Sequence, residues 1–77
     1  MWESTIVHDV WIWDHNKRSI FRLSDVRAFE IKVPIKKEAE AELIAKMKDK
    51  SEHIIMYSQR TDTQKLTLRC EEILRAK

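Results

Sequence analysis

The chain of 77 residues contains no glycine, although average usage of about 7% would supply roughly five. Phosphate-binding loops and dinucleotide-binding fingerprints need glycine, because a backbone approaches a phosphate closely only where no Cβ intervenes. Tight hairpin turns of the Asn-Gly or Asp-Gly type are excluded as well, so any hairpin needs a longer loop or another residue at positive φ. The missing glycine therefore argues against nucleotide-binding proteins built on these motifs.

Cysteine and proline occur once each, as Cys70 and Pro34. A single cysteine allows no intramolecular disulfide and no zinc finger or ribbon. We interpret Cys70 as a small apolar core residue, because no signature places a base beside it that would activate a nucleophile. The sequence shows no secretory leader pattern, and no run approaches about 18 apolar residues. We expect no membrane association and a cytoplasmic location, in a host cell if the chain is an accessory protein of a virus or plasmid.

Charged residues make up 36% of the chain, yet 15 basic and 13 acidic side chains leave a formal net charge of only +2. Dedicated nucleic-acid-binding domains usually have a pI above about 9 with clustered Lys and Arg, and the pI here is about 8.8. Nucleic acid is permitted as a partner but not indicated. The length predicts one small domain over residues 1–77, since domains typically have about 50 to 250 residues.

The first third of the chain is typical of β-structure. Residues 5–13 are rich in β-branched and aromatic side chains, and alternation predicts a strand with Ile12 on one face and Trp11 and Trp13 on the other. The polar residues 14–18 predict a hairpin loop in which Asn16 takes positive φ. A second run covers residues 19–33 and is interrupted at Ser24-Asp25, where we expect a bulge or one helical turn before a half-buried strand over 26–33.

Beyond Pro34 the pattern favours helices. Residues 36–50 are predicted to form a helix because apolar side chains recur at helical spacing, at Ile35, Ala39, Leu43, Ile44 and Met47. Residues 51–60 predict a buried strand. The segment 62–76 favours a helix, with a strand and a short helix as the alternative. The predicted fold class is α+β, a small antiparallel or mixed sheet with two helices on one face, in the order β-β-α-β-α or β-β-α-β-β-α.

Two groups of residues carry side chains of the kinds used in catalysis or metal binding. Glu30-Ile31-Lys32, with Asp14 or Asp25 upstream, formally matches an acidic-x-Lys nuclease arrangement, but opposite charges on the outward face of a strand explain it better. Some imidazoles and carboxylates are of the kind that bind metal ions, but their spacing in the sequence does not match a known metal site. They are His8, Asp9, Asp14, His15 and His53. We therefore expect no metal, no cofactor and no catalytic activity.

Tryptophan gives the strongest functional signal, since all three fall within the first 13 residues. A strand that is apolar on both faces cannot bury both against one layer of helices, so one face needs other cover. We expect a protein-interaction module, a homodimer or a small adaptor or inhibitor, acting through Trp11, Trp13, His15, Lys17 and Arg18. The alternative is a nucleic-acid-binding module, in which aromatic rings stack on bases and basic side chains contact phosphate, using Trp11, Trp13, Lys17, Arg18, Tyr57 and Arg60.

Overall fold

A computed structural model describes residues 9–36 and 38–76. These residues form two antiparallel sheets of two and three strands, followed by one C-terminal helix. The elements are β1 (Trp11–Trp13), β2 (Ile20–Arg22), a 3-10 turn (Leu23–Asp25), β3 (Val26–Lys32), β4 (Ala41–Met47), β5 (Glu52–Ser58) and α1 (Gln64–Arg75). The predicted α+β class is confirmed. The two predicted element orders are wrong, because one of the two expected helices is a strand.

The predicted first hairpin is present as β1 and β2, joined by residues 14–19, one residue more than the predicted loop 14–18. Residues 5–8 of the predicted first strand lie outside the described residues. The prediction for Asn16 is wrong, because Lys17 is the loop residue with positive φ, at 57°. The backbone N–H of Lys17 donates to the carbonyl of Asp14 at 3.1 Å. This bond closes a four-residue turn over residues 14–17, and the left-handed conformation falls on the residue that ends the turn.

The interruption predicted at Ser24-Asp25 is the 3-10 turn between β2 and β3. β3 follows as a strand that covers most of the predicted range 26–33, with a β-bulge between Val26 and Ala28. Such a short turn suits Ser and Asp, whose side chains compete locally for backbone hydrogen bonds. The interruption and the strand are therefore both confirmed, but the strand is more exposed than the predicted half-buried one, since Ile31 and Val33 are exposed.

The helix predicted over residues 36–50 is wrong, because this segment contains β4, the central strand of the larger sheet. Its residues alternate, with four fully or nearly fully buried side chains on one face, at Ala41, Leu43, Ala45 and Met47. Most of its residues favour helices in isolation. Pairing with β3 on one side and β5 on the other satisfies the backbone along both edges, and this tertiary context overrides the local preference.

The last two elements agree with the predictions made for them. β5 lies within the predicted strand 51–60, and α1 lies within the predicted helix 62–76. The alternative of a strand plus a short helix for the tail is thus wrong. Helix formation here follows the longer apolar pattern, in which Leu66 and Ile73 are buried against the sheet while Cys70 packs at the edge of the core.

One cluster of buried side chains joins the elements. The hairpin, the 3-10 turn, the sheet and the helix all contribute to it, through Ile12, Phe21, Leu23, Ala41, Leu43, Ala45, Met47, Ile55, Leu66 and Ile73. Ile44 is also buried but lies outside this cluster, as expected for the opposite face of a strand. One face of the larger sheet thus carries the core. The other face is formed mainly by charged residues around Ile44.

Candidate protein-interaction surface

The register of the first hairpin separates an inner face from an outer one. Ile12 is paired with Phe21, and both side chains are buried. Trp11 is paired with Arg22 and Trp13 with Ile20, and side chains directly opposite in an antiparallel pair share a face. We call these four outward residues the tryptophan face. Its apolar members are 57% exposed at Trp11, 49% at Trp13 and 44% at Ile20.

The inner face of the hairpin holds the tryptophan face outward. Ile12 is among the largest fully buried side chains, and Phe21 stacks on the His53 ring with centroids 4.7 Å apart and planes 15° apart. His53 belongs to β5, so this stack joins the hairpin to the larger sheet. Turning the tryptophans inward would turn Ile12 and Phe21 outward, because adjacent strand residues face opposite sides.

The hairpin loop is fastened to the same strand. The backbone N–H of His15 donates to the carbonyl of Ile54 at 2.9 Å, and the ring Nδ1 lies 3.2 Å from the same oxygen. The His15 ring also meets Tyr57 edge-on, with centroids 4.9 Å apart. Together with the inner-face contacts, these bonds fix the hairpin at both its strands and its loop.

The charge of the tryptophan face is carried by Arg22 and two acidic neighbours. The Nε of Arg22 lies 3.3 Å from a carboxylate oxygen of Asp25 and 3.8 Å from one of Asp9. The Ser24 hydroxyl donates to the same Asp9 oxygen at 2.9 Å, which holds that carboxylate in place. One guanidinium charge is therefore flanked by two carboxylates beside Trp11.

The basic residues singled out from the sequence lie in two different places. Lys17 and Arg18 are exposed in the hairpin loop, where the backbone N–H of Arg18 donates to a carboxylate oxygen of Asp14 at 2.9 Å. Arg60 follows β5 and donates to the carbonyl of Ile35 at 3.1 Å. Tyr57 is 39% exposed, and its ring meets the His15 ring of the hairpin loop. The five residues predicted for protein interaction thus lie on one hairpin, and Arg60 lies beside the segment that precedes β4.

Several of the residues considered for catalysis and metal binding have structural partners, while His8 lies outside the described residues. Glu30 forms an ion pair with Lys46 of the neighbouring strand, and the hydrogen bond and charge of Lys46 lower the pKa of the Glu30 carboxyl. Burial raises the pKa of the Cys70 thiol, with a smaller contribution from the Glu71 charge, which disfavours the reactive thiolate. Across the part of the chain that the structure describes, no cluster of three or more His, Cys, Asp or Glu residues could hold a metal ion.

Sequence reasoning identified both tryptophans but missed Ile20 and Arg22. These residues complete the tryptophan face because the hairpin register sets them opposite Trp13 and Trp11. A loop of residues 14–18 would set Ser19 opposite Trp13, whereas the connection over residues 14–19 sets Ile20 there, and a one-residue difference of this kind exchanges the two faces of β2. The long loop contains no glycine to mark its turn type, so the register was not fixed by the sequence.

Comparison with known proteins gives no relative on which to base a function. The chain matches no family model, no curated protein and no solved structure. In the described residues no helix is long and apolar enough to span a membrane. The functional argument therefore depends on the geometry of the surface itself.

Proposed function

We propose that this protein is a non-catalytic protein-interaction module, a homodimer or a small adaptor or inhibitor, that binds its partner through the tryptophan face. The observation that carries this proposal is the exposure of Trp11, Trp13 and Ile20 on one side of a hairpin whose other side is buried. Contiguous exposed apolar residues rimmed by polar ones are typical of interaction sites. The exposed His15, Lys17 and Arg18 of the adjoining loop supply such a rim.

Tryptophan suits this role for an energetic reason. Truncating a buried Trp at the centre of an interface commonly costs at least about 2 kcal/mol of binding free energy. The ring brings a large apolar area at the expense of only two side-chain torsions. Because Ile12, Phe21 and His15 fix the hairpin, little backbone ordering remains to be done on binding.

The charges near the tryptophans support a protein partner over the alternative of nucleic acid. Bases that stack on aromatic side chains bring their phosphates close by, and nearby cations bind these phosphates. Arg22, the cation on the tryptophan face, is already flanked by Asp9 and Asp25. Arg60 donates one N–H to the carbonyl of Ile35. Of the basic residues considered for phosphate binding, this leaves Lys17 and Arg18 in the hairpin loop. A cytoplasmic location belongs to the same proposal, because the single cysteine suits a reducing compartment.

The first test measures molar mass by light scattering at low and high salt, with and without a mixed oligonucleotide pool. If the tryptophan face joins two copies, the wild type is a dimer at both salt concentrations, and the Trp11→Ala/Trp13→Ala variant has a lower mass with an unchanged circular dichroism spectrum. Leu68→Ala removes an exposed apolar side chain from α1 and serves as the control. A wild type that binds oligonucleotides only at low salt would favour the nucleic-acid alternative.

A second measurement covers the adaptor or inhibitor form of the proposal. A photo-cross-linking residue at position 20, within the tryptophan face, is expected to capture one defined protein in cells, and Trp11→Ala/Trp13→Ala is expected to abolish the adduct. The same cross-linker at position 68 on α1 controls for random capture. Adducts of equal yield at both positions would contradict the assignment of this face.

A further inference from the structure

The outer edge of β3 faces no other strand among the described residues. In the sheet order β3-β4-β5, the described strands give β3 a neighbour on one side only. It is seven residues long, and the unpaired N–H and C=O groups of such an edge are a template for another strand. The hydrogen bonds of β4 show which residues of β3 direct their N–H and C=O groups to this edge.

The bonds at the end of β4 define its two edges. The N–H of Met47 donates to Ser51 and its carbonyl accepts from Lys50, so the polar groups of Met47 point towards β5. The N–H of Lys48 donates instead to Asp25, on the β3 side, at 2.9 Å. Because backbone groups alternate along a strand, the even-numbered residues of β4 bond to β3. Their register partners are Ala28, Glu30 and Lys32.

The alternate residues of β3 therefore present their backbone to solvent. Phe29 and Ile31 direct their N–H and C=O groups to the open edge. Val33 continues this series just beyond the strand, and a residue that precedes proline is biased towards extended backbone. Hydrogen bonding at this edge is thus available at positions 29, 31 and 33.

We propose that this edge binds a second copy of the chain, β3 against β3 and antiparallel, about a twofold axis at Ile31. The two three-stranded sheets then form one continuous six-stranded sheet. Ile31 pairs with its counterpart, and Phe29 pairs with Val33 of the other copy on either side. This arrangement joins three hydrogen-bonded residue pairs across the axis.

Charge selects this register over its neighbours. With the axis at position 31, Glu30 lies opposite Lys32 of the second copy, twice by symmetry. With the axis at position 30, Glu30 faces its own counterpart, and at position 32 the two Lys32 residues face each other. Like charges directly opposite destabilise a strand pair, whereas opposite charges stabilise it. An axis at position 29 brings the bulge between Val26 and Ala28 into the ladder, where the pairing is irregular.

The two faces of the joined sheet both fit this register. On the charged face, Glu30 already binds Lys46 of its own chain, and the Lys32 of the second copy completes a row of alternating charge. On the core-bearing face, Ile31 is 36% exposed and Val33 46% exposed. Phe29 beside them already packs against the core. Pairing extends that apolar surface across the axis and covers side chains that the isolated chain leaves in water.

The test uses charge reversal with complementary mixing. Glu30→Lys gives a chain with Lys at positions 30 and 32, and Lys32→Glu gives a chain with Glu at both. Each variant alone opposes like charges at the axis and is expected to dissociate at least about tenfold more readily than the wild-type dimer. Mixed in equal amounts, the two variants oppose Lys to Glu at all four positions and are expected to form a heterodimer. Formation of the heterodimer also shows that both variants are folded.

Light scattering against the chain mass of 9.3 kDa and native mass spectrometry of the mixture give the readout. A wild type that stays monomeric up to about 0.5 mM, single variants that dimerise as well as the wild type, or a mixture that fails to associate would each overturn the proposal. If self-association uses the β3 edge, the tryptophan face is left to a different protein, as in the adaptor or inhibitor form of the proposed function, and the Trp11→Ala/Trp13→Ala variant is expected to keep its dimer mass. A monomeric tryptophan variant would instead assign self-association to the tryptophan face and overturn the edge dimer.

Discussion

Two lysines occupy turn positions with positive φ, where glycine is the usual residue. Lys17 and Lys50 are the described residues with positive φ, at 57° and 73°. Each donates its backbone N–H to the carbonyl three residues earlier, that of Asp14 in the first hairpin and that of Met47 in the second. The left-handed conformation costs a residue with a Cβ roughly 1–2 kcal/mol. The absence of glycine therefore lowers the free energy of unfolding at these two positions, and substitution by glycine can measure by how much.

The second of these turns is also held by Asp49. Its carboxylate accepts hydrogen bonds from the backbone N–H and the hydroxyl of Ser51, and these bonds lower the pKa of the Asp49 carboxyl. The N–H of Met47 donates to Ser51, which leaves three residues in the loop. A three-residue hairpin loop of this kind ends in a left-handed residue. The turn thus requires positive φ at Lys50 whatever side chain stands there.

Replacing Lys50 by Gly is expected to stabilise the protein. Relief of the left-handed strain exceeds the added entropy of the unfolded chain, and we expect the free energy of unfolding to rise by about 0.5–1 kcal/mol. Lys48→Gly is the matched control, because Lys48 is an exposed neighbour without positive φ, and it is expected to lower stability by a similar amount. Urea unfolding of both variants measures the difference. Equal stability of the two variants would contradict the assignment of strain to Lys50.

At the scale of the element, β4 shows how one segment can carry two patterns. The spacing of Ala39, Leu43 and Met47 is helical, whereas the alternation of Ala41, Leu43 and Ala45 is that of a strand. The helical pattern includes Ile35, which is 93% exposed in the structure. The strand pattern includes two alanines, which contribute little apolar signal but are completely buried. Because these two buried alanines are small and only weakly apolar, the strand alternation is hard to recognise from the sequence.

Enlarging an alanine discriminates between these patterns. Ala45 is completely buried, so Ala45→Leu is expected to overpack the core and lower the free energy of unfolding by about 1–3 kcal/mol. Ala39 lies outside the strand and is only half-buried, so Ala39→Leu is expected to change it by less than about 0.5 kcal/mol. Denaturant unfolding compares the two variants. A larger loss of stability for Ala39→Leu than for Ala45→Leu would place Ala39 in the core and contradict the assignment of β4 as a strand.

The elements that could be predicted share a physical property. The hairpin, β3, β5 and α1 each have local signals that agree with their tertiary surroundings, such as the β-branched and aromatic residues around Trp11 and Trp13 or the long apolar stripe that ends near Ile73. Alternation also placed Trp11 and Trp13 together on the face opposite Ile12, but it decided neither which face is buried nor which residues lie across the strand from them. β4 and the left-handed Lys17 could not be predicted, because pairing and turn closure decide them rather than the residues themselves.

At the scale of the whole molecule, the tryptophan face and the β3 edge depend on the same core. Ile12 and Phe21 hold the hairpin, and the same buried cluster includes side chains of β4, β5 and α1. The His15 bond and the Phe21–His53 stack add contacts between the hairpin and β5. A two-stranded hairpin has marginal stability alone in water. We therefore expect the hairpin to unfold together with the sheet and the helix.

The positions of the tryptophans allow this expectation to be measured. In a Trp2→Phe variant, fluorescence reports Trp11 and Trp13 in the hairpin, while far-ultraviolet circular dichroism at helical wavelengths reports α1. A small single domain unfolds in one cooperative transition, so the two probes should give the same urea midpoint and slope. A fluorescence transition that precedes the circular dichroism transition would show that the hairpin detaches first. The tryptophan face would then be presented by a mobile hairpin, and its binding would include the free energy of docking that hairpin onto the sheet.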